Sequence, residues 1–424
     1  MQKKSLIYLF ETIYRIALWG YFAGIKTAAL FHPKARKWVS GRVGLRGRLS
    51  AQCVPAAGKW IWIHCASLGE FEQGRPVLEG IKARDPDTRI LLTFFSPSGY
   101  EIRKDYPLAD CVEYLPEDRP SSAAWFLDAV RPEMAIFVKY EFWYFFLREL
   151  RRRRIPTYLI SAVFRSGQLF FRPPFNRLHL AMLRCFSVIF VQNEASRERL
   201  SGVGIHRVVV AGDTRMDRVV EIARKGAPLP AVSAFCGSDK VLVAGSTWAK
   251  DVELLLRWWG SKKPEDWKLI IAPHNIQPAD IQFITQKTTL PYALYSDWEK
   301  APAGAPRLLI IDNIGMLSRL YRYGDLAYIG GGFGAGIHNI LEPAAFGLPV
   351  VFGPKYQKFE EARSLVRLGG AFPVKNFAEL NHALTNLLDE TTRQRATSVI
   401  RRYVHENKGA TERILAGIFA EKKG

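Results

Sequence analysis

Leu326-Ala-Tyr-Ile-Gly-Gly-Gly-Phe-Gly-Ala-Gly-Ile-His-Asn-Ile-Leu-Glu-Pro-Ala-Ala-Phe-Gly-Leu-Pro-Val-Val-Phe-Gly-Pro354 is the stretch from which the fold can be read. Leu326 to Ile329 is a short apolar run of the kind that forms a buried parallel strand. Glycines follow at 330, 331, 332, 334 and 336. Glycine tolerates positive φ and lets a second backbone or a ligand approach closely. Pro343 suits the first turn of a helix, Ala344-Ala345-Phe346 continues it, and Gly347 can close it. Val350 to Phe352 is a second buried strand. Strand, glycine loop, helix, strand makes a ligand crevice at the carboxyl edge of an open α/β sheet. Free N–H groups at such a helix start attract an anion. Glu342 lies there, and its carboxylate can cap the helix or accept hydrogen bonds from two ribose hydroxyls.

The same alternation extends outward in both directions. Trp60-Ile-Trp-Ile-His64 predicts the first core strand, followed by a helix through Ala83. Further strands are expected at 90–95, 111–114, 134–138, 157–161, 187–191 and 208–211, with helices between them, such as 142–152 and 194–200. A second series follows at 241–244, 269–272, 308–311, 326–329 and 350–352. Alternating β and α implies a parallel sheet covered by helices on both faces. Residues 225–239 hold Gly226, Pro228, Pro230 and Gly237 without helical periodicity and read as a linker. The expected divisions are therefore 1–32 (an N-terminal helix), 33–224, the linker 225–239, 240–392, and 393–424 (C-terminal helices, broken at Gly409).

A chain of 424 residues exceeds one ordinary core, so two domains are expected. The formal net charge of +20 points to an anionic partner. Helix-turn-helix, zinc-finger and RNA-binding aromatic patterns are missing, which ranks nucleic acid below an anionic lipid. The five cysteines are scattered and none forms a CxxC, so buried thiols in a reducing compartment fit best. Leu6 to Phe31 is apolar and aromatic but interrupted by Glu11, Arg15 and Lys26. Its longest uncharged part falls short of the roughly 20 residues of a spanning helix. A helix lying in one leaflet fits better, with Tyr14, Trp19 and Tyr21 at headgroup level. Between Thr12 and Gly69 there are nine basic residues and no acidic one, which draws this segment toward an anionic surface. No metal-ligand spacing and no Asp-x-Asp is present.

Several polar groups follow strands and so fall at a carboxyl edge. Glu70, in Ser67-Leu-Gly-Glu70, could act as a general base if burial raised its pKa, or could merely cap the next helix. Glu141, in Lys139-Tyr-Glu-Phe-Trp143, could serve a site or pair with Lys139. Arg215, in Gly212-Asp-Thr-Arg-Met-Asp217, could neutralise a leaving phosphate or a carboxylate. Arg151-Arg-Arg-Arg154 and Phe164 to Arg172 are basic stretches that could grip phosphates or simply be solvated.

The pattern Gly336-x-His338-Asn339-x-Leu341-Glu342-Pro343-Ala344-Ala345 resembles the nucleotide-sugar loop of GT-B glycosyltransferases. It is most similar to that of the Kdo transferases, which move 3-deoxy-manno-octulosonic acid from CMP onto lipid A precursors. Ala66-Ser-Leu-Gly-Glu-Phe71 resembles the family's Ser-x-Gly-Glu loop, which implies a proton-acceptor role for Glu70. Lys139 to Trp143 resembles its Glu-x-Glu-Leu-Trp segment, which implies support of the transition state by Glu141; Lys139 replaces the first glutamate. Arg215 stands where the family often has lysine. The resemblance implies a nucleotide pocket from four loops, with Ser246 and Thr247 in the first and Pro273 and His274 in the second. The family's Pro-Arg-His is here Pro273-His274, without the arginine. Gly315, Met316 and Leu317 form the third, Met316 standing where the family has glutamate. The fourth is Asn339, Ile340, Leu341 and Glu342.

Taken together, the resemblance implies an α/β protein of GT-B plan, two Rossmann-like parallel-sheet domains facing a central cleft, with a membrane-associating N-terminal helix. It implies an inverting, metal-independent transfer of Kdo from CMP-Kdo to lipid IVA, with no cofactor. The expected partners are CMP-Kdo, a phosphorylated lipid A precursor and an anionic membrane surface, at the cytoplasmic face of a bacterial inner membrane. The rivals are another GT-B enzyme acting on a lipid or UDP-sugar, or an epimerase, and a non-catalytic protein that binds the lipid A precursor.

Overall fold

The computed structural model describes residues 2–53, 58–165, 167, 168, 171, 176–262, 264–298 and 306–420, with backbone only for 2–9. The chain divides into two compact units: unit 1 is Met1–Asp217 with Gly409–Gly424, and unit 2 is Arg218–Lys408. Among the described residues each unit holds one seven-stranded sheet, and every strand pair is parallel.

The strands of unit 1 are β1 (Trp60–Cys65), β2 (Arg89–Phe94), β3 (Cys111–Tyr114), β4 (Met134–Val138), β5 (Thr157–Ala162), β6 (Val188–Val191) and β7 (Val208–Val210), ordered β3-β2-β1-β4-β5-β6-β7. β1 reads Trp-Ile-Trp-Ile-His-Cys and is buried along its whole length. A strand covered on both faces needs a continuous apolar run, and this one has it. Trp62 packs against Phe126, Phe137 and Phe146 on one face. Ile61 and Ile63 pack with Phe71, Ile414 and Leu415 on the other. The last helix, Ala410–Ala420, therefore belongs to unit 1. Asp217 accepts hydrogen bonds from Gly409 N and Thr411 N and fixes the start of that helix. Gly409, at φ 87°, breaks the helical run as its sequence suggests.

The strands of unit 2 are β8 (Lys240–Thr247), β9 (Trp267–Pro273), β10 (Tyr292–Leu294), β11 (Leu308–Ile310), β12 (Leu326–Ile329), β13 (Val350–Phe352) and β14 (Ala371–Pro373), ordered β10-β11-β9-β8-β12-β13-β14. β10 and β14 are three residues each and lie at the two edges, too short to carry a sequence signal. The segment read as a linker contains the helix Pro230–Cys236, whose Val232 and Phe235 are buried. The chain passes from unit 1 to unit 2 earlier, within the helix Thr214–Lys225. The boundaries differ from those expected because short-range composition does not reveal which core a helix joins.

The N-terminal helix Gln2–Ala28 lies in unit 1 and is packed on it rather than standing apart. Tyr14 Oη donates to Asp118 (2.7 Å), and Asp118 also accepts Phe145 N and Phe146 N at 3.1 Å. Burial pushes the Asp118 carboxyl up to about 6 against these bonds. Phe22 is buried and stacks on Trp38. The opposite face leaves Ile13, Ile16 and Trp19 exposed, and the turn after it exposes Leu30 and Phe31. No described helix is long and apolar enough to cross a membrane. The nine basic residues of this region are not a free array. Arg15, Lys26, Lys37 and Arg48 pair with Glu11, Glu117, Glu101 and Glu113. Arg42 is buried over the Trp38 ring.

Candidate functional site

In unit 1 the strand order reverses between β1 and β4: the chain moves outward from β1 through β2 to β3, then returns to place β4 on the other side of β1. Such a switch point parts the loops that follow the two strands and leaves a crevice at the carboxyl edge. Glu70 follows β1 and Glu141 follows β4, so the topology brings both to this point. Glu70 sits in the first turn of the helix Leu68–Arg84, and its Oε2 accepts Ala66 N at 2.6 Å. Burial, and next the charge of Glu141, raise the Glu70 pKa to about 7. The Ala66 hydrogen bond and Lys139 oppose the rise.

Glu141 is 8% exposed. Its Oε2 receives Trp143 Nε1 at 2.8 Å and lies 3.1 Å from His64 Nε2. His64 is the second-last residue of β1 and fully buried. Its Nδ1 lies 2.9 Å from Thr93 Oγ1, which accepts Trp62 Nε1 at 2.8 Å. A proton on His64 Nε2 puts a donor against Glu141; without it two acceptors would face each other. Thr93 then donates to Nδ1. The chain Trp62–Thr93–His64–Glu141 holds one carboxylate so that its charge acts on the other. Lys139 has φ 69°, strained for a residue with a Cβ, and this bend carries the backbone from β4 into Glu141.

Arg215 is placed differently from its expected role. Its Nε and Nη2 donate to Asp213 Oδ2 at 2.9 and 2.6 Å, so its charge is already opposed. Arg151 to Arg154 lie at the end of the helix Tyr144–Arg152, before β5, and so at the edge of the sheet opposite Glu70 and Glu141. Of the stretch 164–172, residues 166, 169, 170 and 172 lie outside the described residues.

Unit 2 has its own switch point, between β8 and β12. β8 ends in Gly245-Ser246-Thr247, with Ser246 at φ 52°. The Thr247 hydroxyl is buried with no hydrogen-bond partner among the described residues. The loop after β12 comes close to it. A Cβ on Gly330 would meet Ser246 O at 2.1 Å, so only glycine fits. Asp251 ties the two loops together, accepting Trp248 N (2.9 Å), Gly331 N (3.1 Å) and Tyr328 Oη (2.7 Å). Burial raises its pKa against all three bonds.

Pro273 ends β9, and His274 N donates to Thr247 O at 2.9 Å. The His274 ring stacks between Trp248 (4.6 Å) and His338 (4.4 Å). Burial and His274 hold His338 below the usual histidine pKa. Glu342 is in the first turn of the short helix Leu341–Ala345 and receives Asn339 Nδ2 at 3.0 Å. Burial raises its pKa, against that bond and the charge of Arg218. Glu342 also acts on the buried Tyr321 hydroxyl, beside which only a glycine fits at 245. Ile340, Leu341 and Met316 are buried core residues, so they offer backbone groups and no polar side chain. Gly315, at φ 89°, turns the chain into Met316, and Leu317 opens the helix Leu317–Leu320. Ser246, Thr247, His274, Asn339 and Glu342 thus share one edge of unit 2.

The site list drawn from sequence omitted His64, Thr93, Trp248, Asp251 and His338. A histidine inside an otherwise apolar strand is a signal for the first; the others are polar partners across the sheet that no local pattern marks. Among the described residues no group of three or more His, Cys, Asp or Glu could hold a metal ion.

Two doubly wound parallel-sheet units, each with polar groups at its switch point, define the GT-B class. The fold is similar to that of UDP-GlcNAc 2-epimerase from Neisseria meningitidis bound to UDP-GlcNAc, with TM-score 0.60, 14% identity, and 86% of this chain and 100% of that chain covered. A family model described as 3-Deoxy-D-manno-octulosonic-acid transferase (kdotransferase) matches residues 39–218. The 3-deoxy-D-manno-octulosonic acid transferase of Aquifex aeolicus is 30% identical over 333 residues, which is 77% of this chain and 86% of the relative. That of Haemophilus influenzae is 29% identical over 398 residues, covering 90% and 91%. The chain belongs to the Kdo transferase family: it is a glycosyltransferase of lipopolysaccharide biosynthesis.

Proposed function

We propose that the protein transfers Kdo from CMP-Kdo to a hydroxyl of a phosphorylated lipid A precursor such as lipid IVA, with inversion and without a metal or other cofactor. Glu70 takes the proton from the acceptor hydroxyl as its oxygen attacks the anomeric carbon. The bond from that carbon to the CMP phosphate breaks, and CMP leaves with the bonding electron pair. The observation that carries this reading is the Glu70 carboxyl, held at a switch point with a pKa of about 7. A base is most effective when its pKa lies near the working pH. Glu141 keeps that pKa high by its charge, and His64 and Trp143 hold Glu141 in place.

On the donor side, the Thr247 hydroxyl and the backbone of the loop after β8 suit a phosphate, and Glu342 suits the two ribose hydroxyls of the cytidine. With Arg215 engaged by Asp213, charge on departing CMP falls mainly to these neutral donors. We further propose that the exposed apolar face around Ile13, Ile16 and Trp19, with Leu30 and Phe31, rests in the cytoplasmic leaflet of the bacterial inner membrane, where the lipid acceptor resides. The test is CMP release from CMP-Kdo, with and without a lipid A precursor. Release that requires the acceptor supports the reading, and no release with acceptor present refutes it. A nucleotide series adds a second check: CMP should raise the melting temperature and UDP should not.

A further inference from the structure

Unit 1 carries a second polar hollow, at the edge of its sheet away from Glu70. It opens where the chain enters β5, β6 and β7, whereas Glu70 and Glu141 follow strands of the same parallel sheet. The six residues of β5 separate the two edges by roughly 20 Å, at about 3.3 Å per residue. The hollow has a volume of about 610 Å³. Arg151, Arg154, Arg184, Arg207 and His206 line it, and no acidic side chain does. All four arginines are exposed, and among the described residues none of the four forms an ion pair. Elsewhere on unit 1 the basic residues are mostly matched: Arg152 and Arg153, in the same run, both pair with Glu149.

The backbone here is also strained toward this arrangement. The helix Tyr144–Arg152 ends in a turn in which Arg154 N donates to Arg151 O at 3.1 Å and Arg154 takes φ 58°. Glycine or asparagine would adopt that conformation with less strain, yet the position holds a cation. The floor is apolar, with Phe186 buried beneath the rim.

Four converging guanidinium groups repel one another, and the repulsion is relieved when an anion enters. Each guanidinium presents a planar fork that matches two phosphate oxygens. We infer that this hollow is a binding site for a ligand with more than one phosphate oxygen cluster, distinct from the nucleotide loops of unit 2 and from the Glu70 site. The ligand's phosphate can be carried by a soluble molecule or by a lipid headgroup, and the two sources are separable by experiment.

The variant is Arg151→Gln, Arg184→Gln, Arg207→Gln, three exposed side chains outside the proposed catalytic machinery. Binding of inorganic pyrophosphate is measured by calorimetry, and binding of phosphatidylcholine vesicles with and without phosphatidic acid by flotation. Each charge-assisted contact contributes about 1.5–3 kcal/mol, so losing three should weaken binding by about a hundredfold or more. A loss with pyrophosphate assigns the site to soluble phosphates; a loss confined to phosphatidic acid vesicles assigns it to lipid headgroups. A control variant, Arg395→Gln, Arg402→Gln, Lys262→Gln, removes the same charge from exposed positions of unit 2 and should bind like the parent. Unchanged binding of both probes by the first variant, or an equal loss in the control, overturns the inference. Arg184→Gln alone, should the triple variant fail to fold, is expected to weaken binding by about tenfold, and no change overturns the inference in the same way.

Discussion

Replacing Glu70 by glutamine should stabilise the protein while disabling it. The wild-type carboxyl has a pKa of about 7 in the folded state against an ordinary 4.5. A raised carboxylate pKa means the folded state holds its proton more tightly than the unfolded chain, so the stabilising contribution is full below about pH 4.5 and declines as pH rises to about 7. Above that the folded state carries an ionised, partly buried carboxylate beside Glu141. Proton linkage between these two values gives a penalty of roughly 2.5 kcal/mol at pH 8 relative to pH 5. Glutamine keeps the shape and can still accept Ala66 N, but it never ionises. Glu70→Gln should therefore gain stability over wild type by roughly 2 kcal/mol more at pH 8 than at pH 5, an order-of-magnitude figure because the two carboxylates titrate together. Urea unfolding midpoints at the two pH values measure this. The same variant should lower kcat for CMP release by about 10²–10⁴, and the wild-type rate should climb with pH to a plateau above about 7. A glutamine variant that turns over at near the parental rate, or whose stability difference from wild type is the same at both pH values, refutes the reasoning.

Three other outcomes are expected. Glu342→Ala should weaken CMP-Kdo binding by about 10- to 100-fold, the loss of one or two hydrogen bonds to a charged group, with a smaller change in kcat; an unaltered donor Kd by calorimetry removes the ribose assignment. Gly330→Ala drives a Cβ to 2.1 Å from Ser246 O, and because backbone rather than a flexible side chain is in the way, it should destabilise unit 2 by about 1–3 kcal/mol or more and lower the melting temperature; a melting curve like that of wild type contradicts it. Ile16→Asp combined with Trp19→Asp changes exposed side chains only, so it should leave the melting temperature within about 2 °C while reducing flotation with anionic vesicles by about tenfold or more; equal flotation argues against membrane contact through this face.

Much of the fold was legible because parallel strands covered on both faces must be apolar throughout. β1, β4, β8 and β12 announce themselves as short apolar runs ending in glycine or polar residues. The motif at Glu70 and the glycine loop before Glu342 were legible for a related reason, since close backbone approach admits only glycine and the groups after a strand fall at its carboxyl edge. β10 and β14 escaped notice because three residues at a sheet edge need no pattern. The helix Pro230–Cys236 hid within a Pro- and Gly-rich segment that resembles a linker.

Sequence by itself determined two βα series, the glycine loop, the placing of Glu70 and Glu342 after strands, and the family likeness, because each is a property of neighbours along the chain. Only the tertiary structure decided that His64, Thr93 and Trp143 hold Glu141, that Asp213 occupies Arg215, and that four arginines gather at the far edge of the first sheet. Hydrogen bonds, ion pairs and like-charge repulsion act over a few ångströms of space, and residues 64, 93 and 141 become neighbours only when the strands order themselves side by side.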